Sequence, residues 1–216
     1  AYVEHEITCG KERTPEFPCV YGDEYETLTV TLYDENLKLY LKLNYSITEE
    51  SSAVVRSSSL VNNSQETYTI SKFMSGTLDI PDADLDFISL SGAWLRERHL
   101  IKRPLRMGSQ LIESTRGASS HQHNPFVMLA DKDANEFAGT VYAASLVYSG
   151  SFLAQTEVDE WNVSRTLIGI NPMNFAWQLE PNTEFKTPEC IFAVTKEGFN
   201  GISRTFHNLI NNNCLL

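Results

Sequence analysis

The chain has 216 residues, of which 42% are hydrophobic and 11% aromatic. That is enough apolar material to bury a core, and too much for a disordered chain. The formal net charge of −11 argues against a surface for nucleic acid or for an anionic membrane. One local basic cluster stands out against this acidic background: Arg96, Arg98, His99, Lys102, Arg103 and Arg106.

The cysteines and the chain start indicate the compartment. The first residues do not form a secretory signal, and no apolar run approaches the ~18 residues of a membrane span. The four cysteines form no CxxC pair and show no metal-ligand spacing. We therefore expect a soluble, reduced, cytoplasmic protein with neither a membrane nor a nucleic acid as its partner.

The first quarter of the chain divides into two parts. Residues 1–25 contain Pro15, Pro18 and Gly22 and show little periodicity. We predict that they form an irregular lead-in, the remnant of a longer segment, to one domain over residues 26–216. Along residues 28–47, apolar and polar residues alternate on both sides of a turn at 34–36. This period of two predicts a β-hairpin with one buried face.

The rest of the chain continues in short strand-like segments separated by turn residues. No linker and no repeat of 20–50 residues divides it. Only the tail has a helical period, with Ile202, Phe206, Leu209 and Ile210 on one face. Many short strands and one helix predict an all-β antiparallel sandwich or barrel with a short C-terminal helix. The predicted strands are 54–61, 68–78, 87–100, 126–129, 139–148, 152–158, 163–170, 175–179 and 190–194.

A dense polar stretch, residues 110–126, interrupts this series of strands. Connections in compact domains are usually short, so a long polar one is more often a functional or interface loop than filler. The stretch contains His121 and His123, with Glu113 and Asn124 as further possible metal ligands. Structural zinc normally takes four protein ligands, so this pattern is weak and we expect no metal.

Catalysis within the stretch is equally poorly supported. Ser119 and Ser120 precede His121, but a triad needs a base that is oriented by a third group, and the Gly-x-Ser-x-Gly elbow is absent. Several carboxylates lie close together in the sequence. The two catalytic carboxyl groups of a glycosidase, however, come from separate elements that face each other in the fold, so their spacing in the sequence cannot identify them. We therefore predict no catalytic residue and no cofactor in this chain.

The tryptophans offer an alternative function. Trp94, Trp161 and Trp177 could stack on sugar rings, as in a stand-alone carbohydrate-binding module. Each of them also lies in a strand-like segment, where packing in the core is the commoner use of an aromatic side chain.

Several long segments resemble, in order, the N-terminal domain of family 36 glycoside hydrolases, the bacterial α-galactosidases that act on melibiose and raffinose-type sugars. The resemblance is strong over about residues 78–208. Its segments are Ser-Gly-Ala-Trp-Leu-Arg-Glu-Arg-His at 91–99, Ile-Glu-Ser-Thr-Arg-Gly-Ala-Ser-Ser-His-Gln-His-Asn-Pro-Phe at 112–126, Tyr-Ala-Ala-Ser-Leu-Val-Tyr-Ser-Gly-Ser-Phe-Leu-Ala-Gln at 142–155, Gly-Ile-Asn-Pro-Met-Asn-Phe-Ala-Trp-Gln-Leu-Glu-Pro at 169–181, Phe-Lys-Thr-Pro-Glu at 185–189 and Ser-Arg-Thr-Phe-His at 203–207.

The resemblance implies a β-supersandwich of the galactose-mutarotase type. In the family a (β/α)₈ barrel follows this domain and holds two aspartates, one in a Lys-Trp-Asp motif and one in a later Ser-Asp segment, which act by the retaining two-carboxylate scheme. Neither motif occurs in this sequence. We expect a domain that is inactive by itself and that supports the barrel and a homo-oligomer of the parent enzyme, whose substrate is an α-galactoside.

Two roles stay open for the polar stretch and the segment around Trp94. In the first, these residues face the barrel or another subunit, because arginine suits interface pairing. In the second, the stretch only braces its own sandwich. A mutarotase-like enzyme is a third possible function, since related supersandwiches host that activity. The residues proposed to face the barrel or a subunit are Trp94, Arg96, Arg98, Arg116, Ser119, Ser120, His121, His123 and Asn124.

Overall fold

The computed structural model describes residues 1–14 and 17–214. In this part the elements are, in chain order, β1 (Tyr2–Lys11), β2 (Gly22–Asp34), β3 (Leu39–Ile47), β4 (Ala53–Asn62), β5 (Tyr68–Ile70), β6 (Met74–Ile80), β7 (Leu85–Ala93), β8 (Arg96–Pro104), β9 (Gly108–Glu113), β10 (His123–Asp131), β11 (Val141–Leu146), β12 (Phe152–Val158), β13 (Ser164–Ile170), β14 (Trp177–Leu179), β15 (Glu184–Lys186), β16 (Cys190–Thr195) and α1 (Gly198–Asn213).

The strands assemble into one large sheet and two small ones. The large sheet has ten strands in the order β1-β2-β3-β4-β16-β11-β10-β7-β8, with β15 also paired to β4. A four-stranded sheet, β6-β13-β12-β9, packs against one face of it, and β14 pairs with β5 in a short ribbon. The pairings between these strands are antiparallel. The predicted fold, an antiparallel β-supersandwich with a C-terminal helix, is confirmed.

The centre of the large sheet is buried on both faces. In β10, Val127 and Leu129 face the core between the two larger sheets, while Met128 and Ala130 face a second core on the opposite side. A strand that is covered on both faces has no polar face, and this explains the continuous apolar run of β10.

Helix α1 covers that opposite face. Its buried residues include Ile202, Phe206 and Leu209, three of the four predicted from the helical period, whereas Ile210 is partly exposed. The Phe206 ring packs edge-on against Phe126 with a centroid distance of 5.4 Å. The helix therefore closes the second core as an amphipathic element with one apolar face.

The predicted irregular lead-in is wrong for residues 2–11, which form β1 and pair with β2. Almost every residue of β1 is exposed, so its two faces share the same environment and the sequence shows no alternation of apolar and polar residues. Pro15, which contributed to that prediction, lies outside the described residues.

The hairpin predicted over residues 28–47 is present as β2 and β3, but its apolar face is only partly buried. The four-stranded sheet packs over β4, β16, β11 and β10 and stops short of β1–β3. Rows of apolar side chains therefore continue uncovered across this end of the large sheet, among them Ile7, Leu28 and Tyr45, which are aligned by register.

Two other segments differ from the prediction. Residues 68–78 are divided between β5 and β6, and residues 87–100 form the β7–β8 hairpin with Trp94 in its turn. The four cysteine thiols are unpaired. Within the ranges that the structure describes, no helix is both long and apolar enough to cross a membrane.

Candidate interface formed by the 114–122 loop and the Trp94 hairpin

The polar stretch contains less loop than its composition predicts. Residues 110–113 belong to β9, and residues 123–126 begin β10. The connecting segment is 114–122, which we call the polar loop. It leaves the four-stranded sheet at the end of β9 and enters the ten-stranded sheet at the start of β10, so it joins the two layers of the sandwich.

Serines tie the polar loop to the sandwich. The backbone N–H of Ser114 donates to the Phe152 carbonyl at 2.9 Å, and the Phe152 N–H donates to the Ser114 carbonyl at 3.1 Å. The Gly117 N–H donates to Ser151 Oγ at 2.8 Å, and the Ser119 N–H donates to the Ser149 carbonyl at 2.7 Å. These bonds hold one side of the loop along residues 149–152.

Asn171 completes this anchorage, and sequence reasoning missed it. It is buried, and its Nδ2 donates to Glu113 Oε2 at 2.9 Å, to the Phe152 carbonyl at 3.1 Å and to the Ser114 carbonyl at 3.3 Å. Its Oδ1 accepts the Met173 N–H at 2.9 Å. A polar residue directly after the apolar strand β13 was the only local signal for this role.

The Trp94 hairpin projects beside the polar loop. Trp94 and Leu95 form its tip and are each 78% exposed, so core packing is the wrong interpretation for Trp94. Leu95 and Arg98 have positive φ angles of 65° and 59°, a conformation that bulky residues rarely adopt and that often occurs at functional sites. The Gly92 N–H donates to the Gln122 carbonyl at 3.2 Å, which links the hairpin to the loop.

The arginines of the predicted set lie on the surface. Arg96 and Arg98 are exposed on β8, an edge strand of the ten-stranded sheet, and Arg116 is exposed in the polar loop. His121 is exposed in the same loop, while Ser119 and Ser120 are half-buried. The loop thus turns its serines towards the sandwich and its charged side chains towards solvent.

His123 joins the loop to the β7 strand. Its Nδ1 lies 2.9 Å from Ser91 Oγ, and the two residues are register partners between β10 and β7. Burial lowers the pKa of His123, the positive charges of Arg103 and Arg116 lower it further, and Glu113 opposes this shift. The imidazole is therefore held in its neutral form more strongly than in an unfolded chain.

This shift predicts a pH-dependent loss of stability. Well above the unfolded pKa of 6.5 the ring is neutral in both states. As the pH falls below that value, the unfolded chain binds the proton more readily, so the free energy of unfolding decreases until the lower folded pKa is passed. We expect His123→Gln to cost about 1 kcal/mol at pH 7.5 through the lost hydrogen bond and to flatten the decrease between pH 7.5 and 5.

Urea denaturation at several pH values measures that slope. An NMR titration of the His123 ring protons measures the pKa directly in the unmodified chain. A titration midpoint at or above 6.5 contradicts the expectation.

In and beside the polar loop, the described histidines and serines do not form the arrangement that a metal site or a catalytic triad requires. His121 lies in a turn and His123 in a strand, so the two rings do not share a strand face. Across residues 1–14 and 17–214, no three His, Cys, Asp or Glu side chains are grouped to hold a metal ion. Ser119 Oγ donates to the Ser149 carbonyl, and Ser120 Oγ accepts the Gln122 N–H.

Asn124, in β10 next to the polar loop, contains an unsatisfied polar atom. Its Oδ1 is buried and accepts no hydrogen bond from the described part of the chain. Buried polar atoms are nearly always paired in folded proteins, so this acceptor is one polar group that the sandwich itself leaves unsatisfied.

The comparison with known families identifies the chain. Residues 1–180 match the sequence profile described as the glycosyl hydrolase family 36 N-terminal domain. The chain belongs to glycoside hydrolase family 36. The long segments around the Trp94 hairpin and the polar loop, which carried the resemblance in the sequence, are therefore segments of a family 36 N-terminal domain.

Related family 36 proteins are longer than this chain. The alpha-galactosidase AgaA of Geobacillus stearothermophilus is 44% identical over 96% of this chain and 29% of its own length. The alpha-galactosidase C of Emericella nidulans is 39% identical over 96% of this chain and 28% of its own length. The chain thus spans less than a third of each relative.

The fold agrees closely with solved structures of the family. The alpha-galactosidase from Lactobacillus brevis superposes with a TM-score of 0.97 at 41% identity, covering 99% of this chain and 29% of the other. A variant of AgaA in complex with stachyose superposes with a TM-score of 0.95 at 43% identity, covering 98% of this chain and 30% of the other.

Proposed function

We propose that this chain is the non-catalytic N-terminal domain of an α-galactosidase that hydrolyses terminal α-galactosyl residues with retention of configuration. The observation that carries the proposal is the match of residues 1–180 to the N-terminal domain of family 36. This chain also covers only about 29% of the length of a relative that is named an alpha-galactosidase. Retention needs two facing carboxyl groups. We assign both to the barrel that follows this domain in the family.

Incubating the chain with an aryl α-galactoside tests this assignment. We expect no release of the aryl group above a buffer control, whereas the full-length enzyme releases it under the same conditions. The chain is produced in a host that lacks α-galactosidase, so that a contaminating enzyme cannot supply the signal. Turnover that co-purifies with the chain from that host contradicts the proposal.

The barrel-facing surface that we propose lies around the Trp94 hairpin. An apolar groove of about 450 Å³ runs between this hairpin and α1, with Leu90, Leu100, Phe126 and Phe199 among its lining residues. In the family the barrel follows this domain, and residues of α1 line one side of the groove. Exposed Trp94, the exposed arginines and the apolar groove form the kind of aromatic and arginine-rich surface that protein interfaces use.

A different surface suits contact with another subunit of the parent enzyme. The uncovered apolar rows of β1–β3 include Ile7, Leu28 and Tyr45 in one register row and Val30 and Leu43 in the next. Monomeric proteins rarely expose large contiguous apolar patches, and such patches often mark protein interfaces. We assign this face to a homo-oligomer contact.

The unpaired cysteines suit a reducing, cytoplasmic compartment, which we propose as the location.

Replacing Trp94 by alanine in the full-length enzyme is expected to lower activity or assembly by about tenfold or more, because a tryptophan buried in an interface contributes about 2 kcal/mol or more. The same change in the 216-residue chain should alter the free energy of unfolding by less than about 0.5 kcal/mol, since Trp94 is 78% exposed there. Enzyme assays, sedimentation and urea denaturation measure the two effects.

Trp161→Ala is the matched control, because Trp161 is also 78% exposed but lies in the turn after β12. The same comparison with Arg116→Ala and His121→Ala separates the two roles of the polar loop. Lost activity at unchanged domain stability supports an interface. A lower melting point of the 216-residue chain instead supports bracing.

A further inference from the structure

Two of the four cysteines lie where the segment before β2 meets the end of α1. Cys19 is buried in that segment, and Cys214 directly follows α1 and packs against the core beneath the helix. Almost the whole sequence separates them. The other two cysteines belong to β1 and to β16.

Hydrogen bonds hold the two segments together. The Tyr21 N–H donates to the Asn213 carbonyl at 2.9 Å, and Asn213 Nδ2 donates back to the Tyr21 carbonyl at 3.0 Å. The same Nδ2 also donates to Glu24 Oε1 at 2.5 Å. Asn213, the last residue of α1, is therefore fixed against the start of β2.

Glu189 lies close to both cysteines. Its Oε2 accepts the N–H of Val20, the residue after Cys19, at 2.7 Å, and its Oε1 pairs with Lys11. Burial, together with the negative charges of Glu189 and of a Cys19 thiolate, raises the pKa of Cys214 to about 11, and the charge of Lys11 opposes this. The two thiols are therefore within electrostatic range of each other and of one carboxylate.

Disulfide formation is the chemistry that suits this pair. Two thiols and one carboxylate do not make a metal site here, since the described ranges hold no group of three or more such side chains placed to bind an ion. The raised pKa of Cys214 leaves little of the thiolate that a catalytic cysteine needs. A disulfide needs Cα atoms within about 7 Å, and a hydrogen-bonded contact between neighbouring residues brings two backbones to about that separation.

We propose that Cys19 and Cys214 form a reversible disulfide, which locks the end of α1 to the segment before β2 in the presence of a low-molecular-weight disulfide such as oxidised glutathione. One thiolate attacks oxidised glutathione, forms a mixed disulfide and releases one glutathione, and the other cysteine then displaces the second glutathione. The protein loses two electrons and two protons, and one oxidised glutathione becomes two glutathione molecules. Under reducing conditions the pair stays as two thiols, as in the structure.

The lock acts on the helix that closes the second core. Phe199, Ile202 and Phe206 of α1 also line the apolar groove beside the Trp94 hairpin, so a covalent bond at the end of α1 restrains one side of that groove. The bond closes a loop over residues 19–214, and the restriction of the unfolded chain grows with the length of the loop. The inference goes beyond the proposed α-galactosidase function and does not depend on it.

Treating the Cys9→Ser chain with oxidised glutathione tests the proposal. This background removes the exposed Cys9 thiol, which can link two chains. After alkylation and tryptic digestion, mass spectrometry should find the peptide 14–38 joined to the peptide 205–216, because the three remaining cysteines lie in different tryptic peptides. The melting temperature should rise by about 5–15 °C, and dithiothreitol should reverse the rise.

Cys214→Ser in the same background is the matched control and should show neither the joined peptides nor the rise. Cys190 is completely buried and should be recovered as a free thiol in every sample. The proposal is overturned by recovery of Cys19 and Cys214 in separate peptides after oxidation, by a rise that persists in Cys214→Ser, or by a joined chain that melts no higher than the reduced one. Peptide mapping of the Cys9→Ser chain decides the question even where Cys214→Ser fails to fold.

Discussion

Replacing Phe152 by alanine is expected to lower the free energy of unfolding by about 3–5 kcal/mol. Phe152 is completely buried in β12, in the core between the four-stranded and the ten-stranded sheet. Removing the ring loses its transfer free energy and leaves a cavity that the surrounding strands refill only in part. Total stabilities of about 5–15 kcal/mol make this a large fraction of the whole. Urea denaturation followed by circular dichroism measures the loss.

The effect should extend to the polar loop, because the Phe152 backbone exchanges two hydrogen bonds with Ser114. Hydrogen exchange at the Ser114 amide is therefore expected to accelerate with the global loss of stability. Phe152→Leu retains most of the apolar volume and should cost less than the alanine variant. A loss below about 1 kcal/mol for Phe152→Ala contradicts the placement of this ring in the inter-sheet core.

Replacing Gly198 by alanine is expected to cost about 2–5 kcal/mol, the sum of roughly 1–2 for a left-handed backbone and roughly 1–3 for overpacking. Gly198 begins α1 with a φ of +65°. A Cβ at this position would lie 2.1 Å from the Asn135 carbonyl oxygen and 2.7 Å from the Ala138 nitrogen. The helix start would have to move away from these backbone atoms, which partly uncovers the core beneath α1.

Gly117→Ala separates the two causes. Gly117 also has a positive φ, +81°, but a Cβ there has no neighbour within 4 Å. This variant should cost only the backbone part, about 1–2 kcal/mol. Thermal and urea denaturation of both variants give the comparison. Equal losses would mean that the close approach of Gly198 to Asn135 contributes nothing.

Much of the fold was predictable because its signals are local. The alternation over residues 28–47 reflects the pleat of β2 and β3, and the period of Ile202, Phe206 and Leu209 reflects the buried face of α1. The prediction failed for β1 because an edge strand that is exposed on both faces needs no alternation. The prediction also treated β7 and β8 as one strand. In the structure they form a hairpin whose tip contains an exposed tryptophan and a leucine in a left-handed conformation.

The sequence singles out the residues of the Trp94 hairpin and the polar loop, but it does not predict how they are arranged. The segments that hold the Trp94 hairpin and the polar loop identify the family through residue order. Ser91 and His123 are 32 positions apart and meet only because β7 and β10 pair in one register. Asn171, which anchors the loop, directly follows β13 and lies 57 positions from Ser114 in the sequence. The two residues meet because β13 and β9 belong to the same four-stranded sheet.

The sequence by itself determined the fold class, most of the strands, the helix and the family, since pleat, helical period and residue order are properties of short segments. The tertiary structure decided which faces those segments bury. The four-stranded sheet covers β10 but not β2. The apolar residues of β10 are therefore buried in the core, whereas the apolar rows of β1–β3 are not covered by a second sheet. Burial depends on which layer lies above a strand, and strand pairings between distant residues set that arrangement.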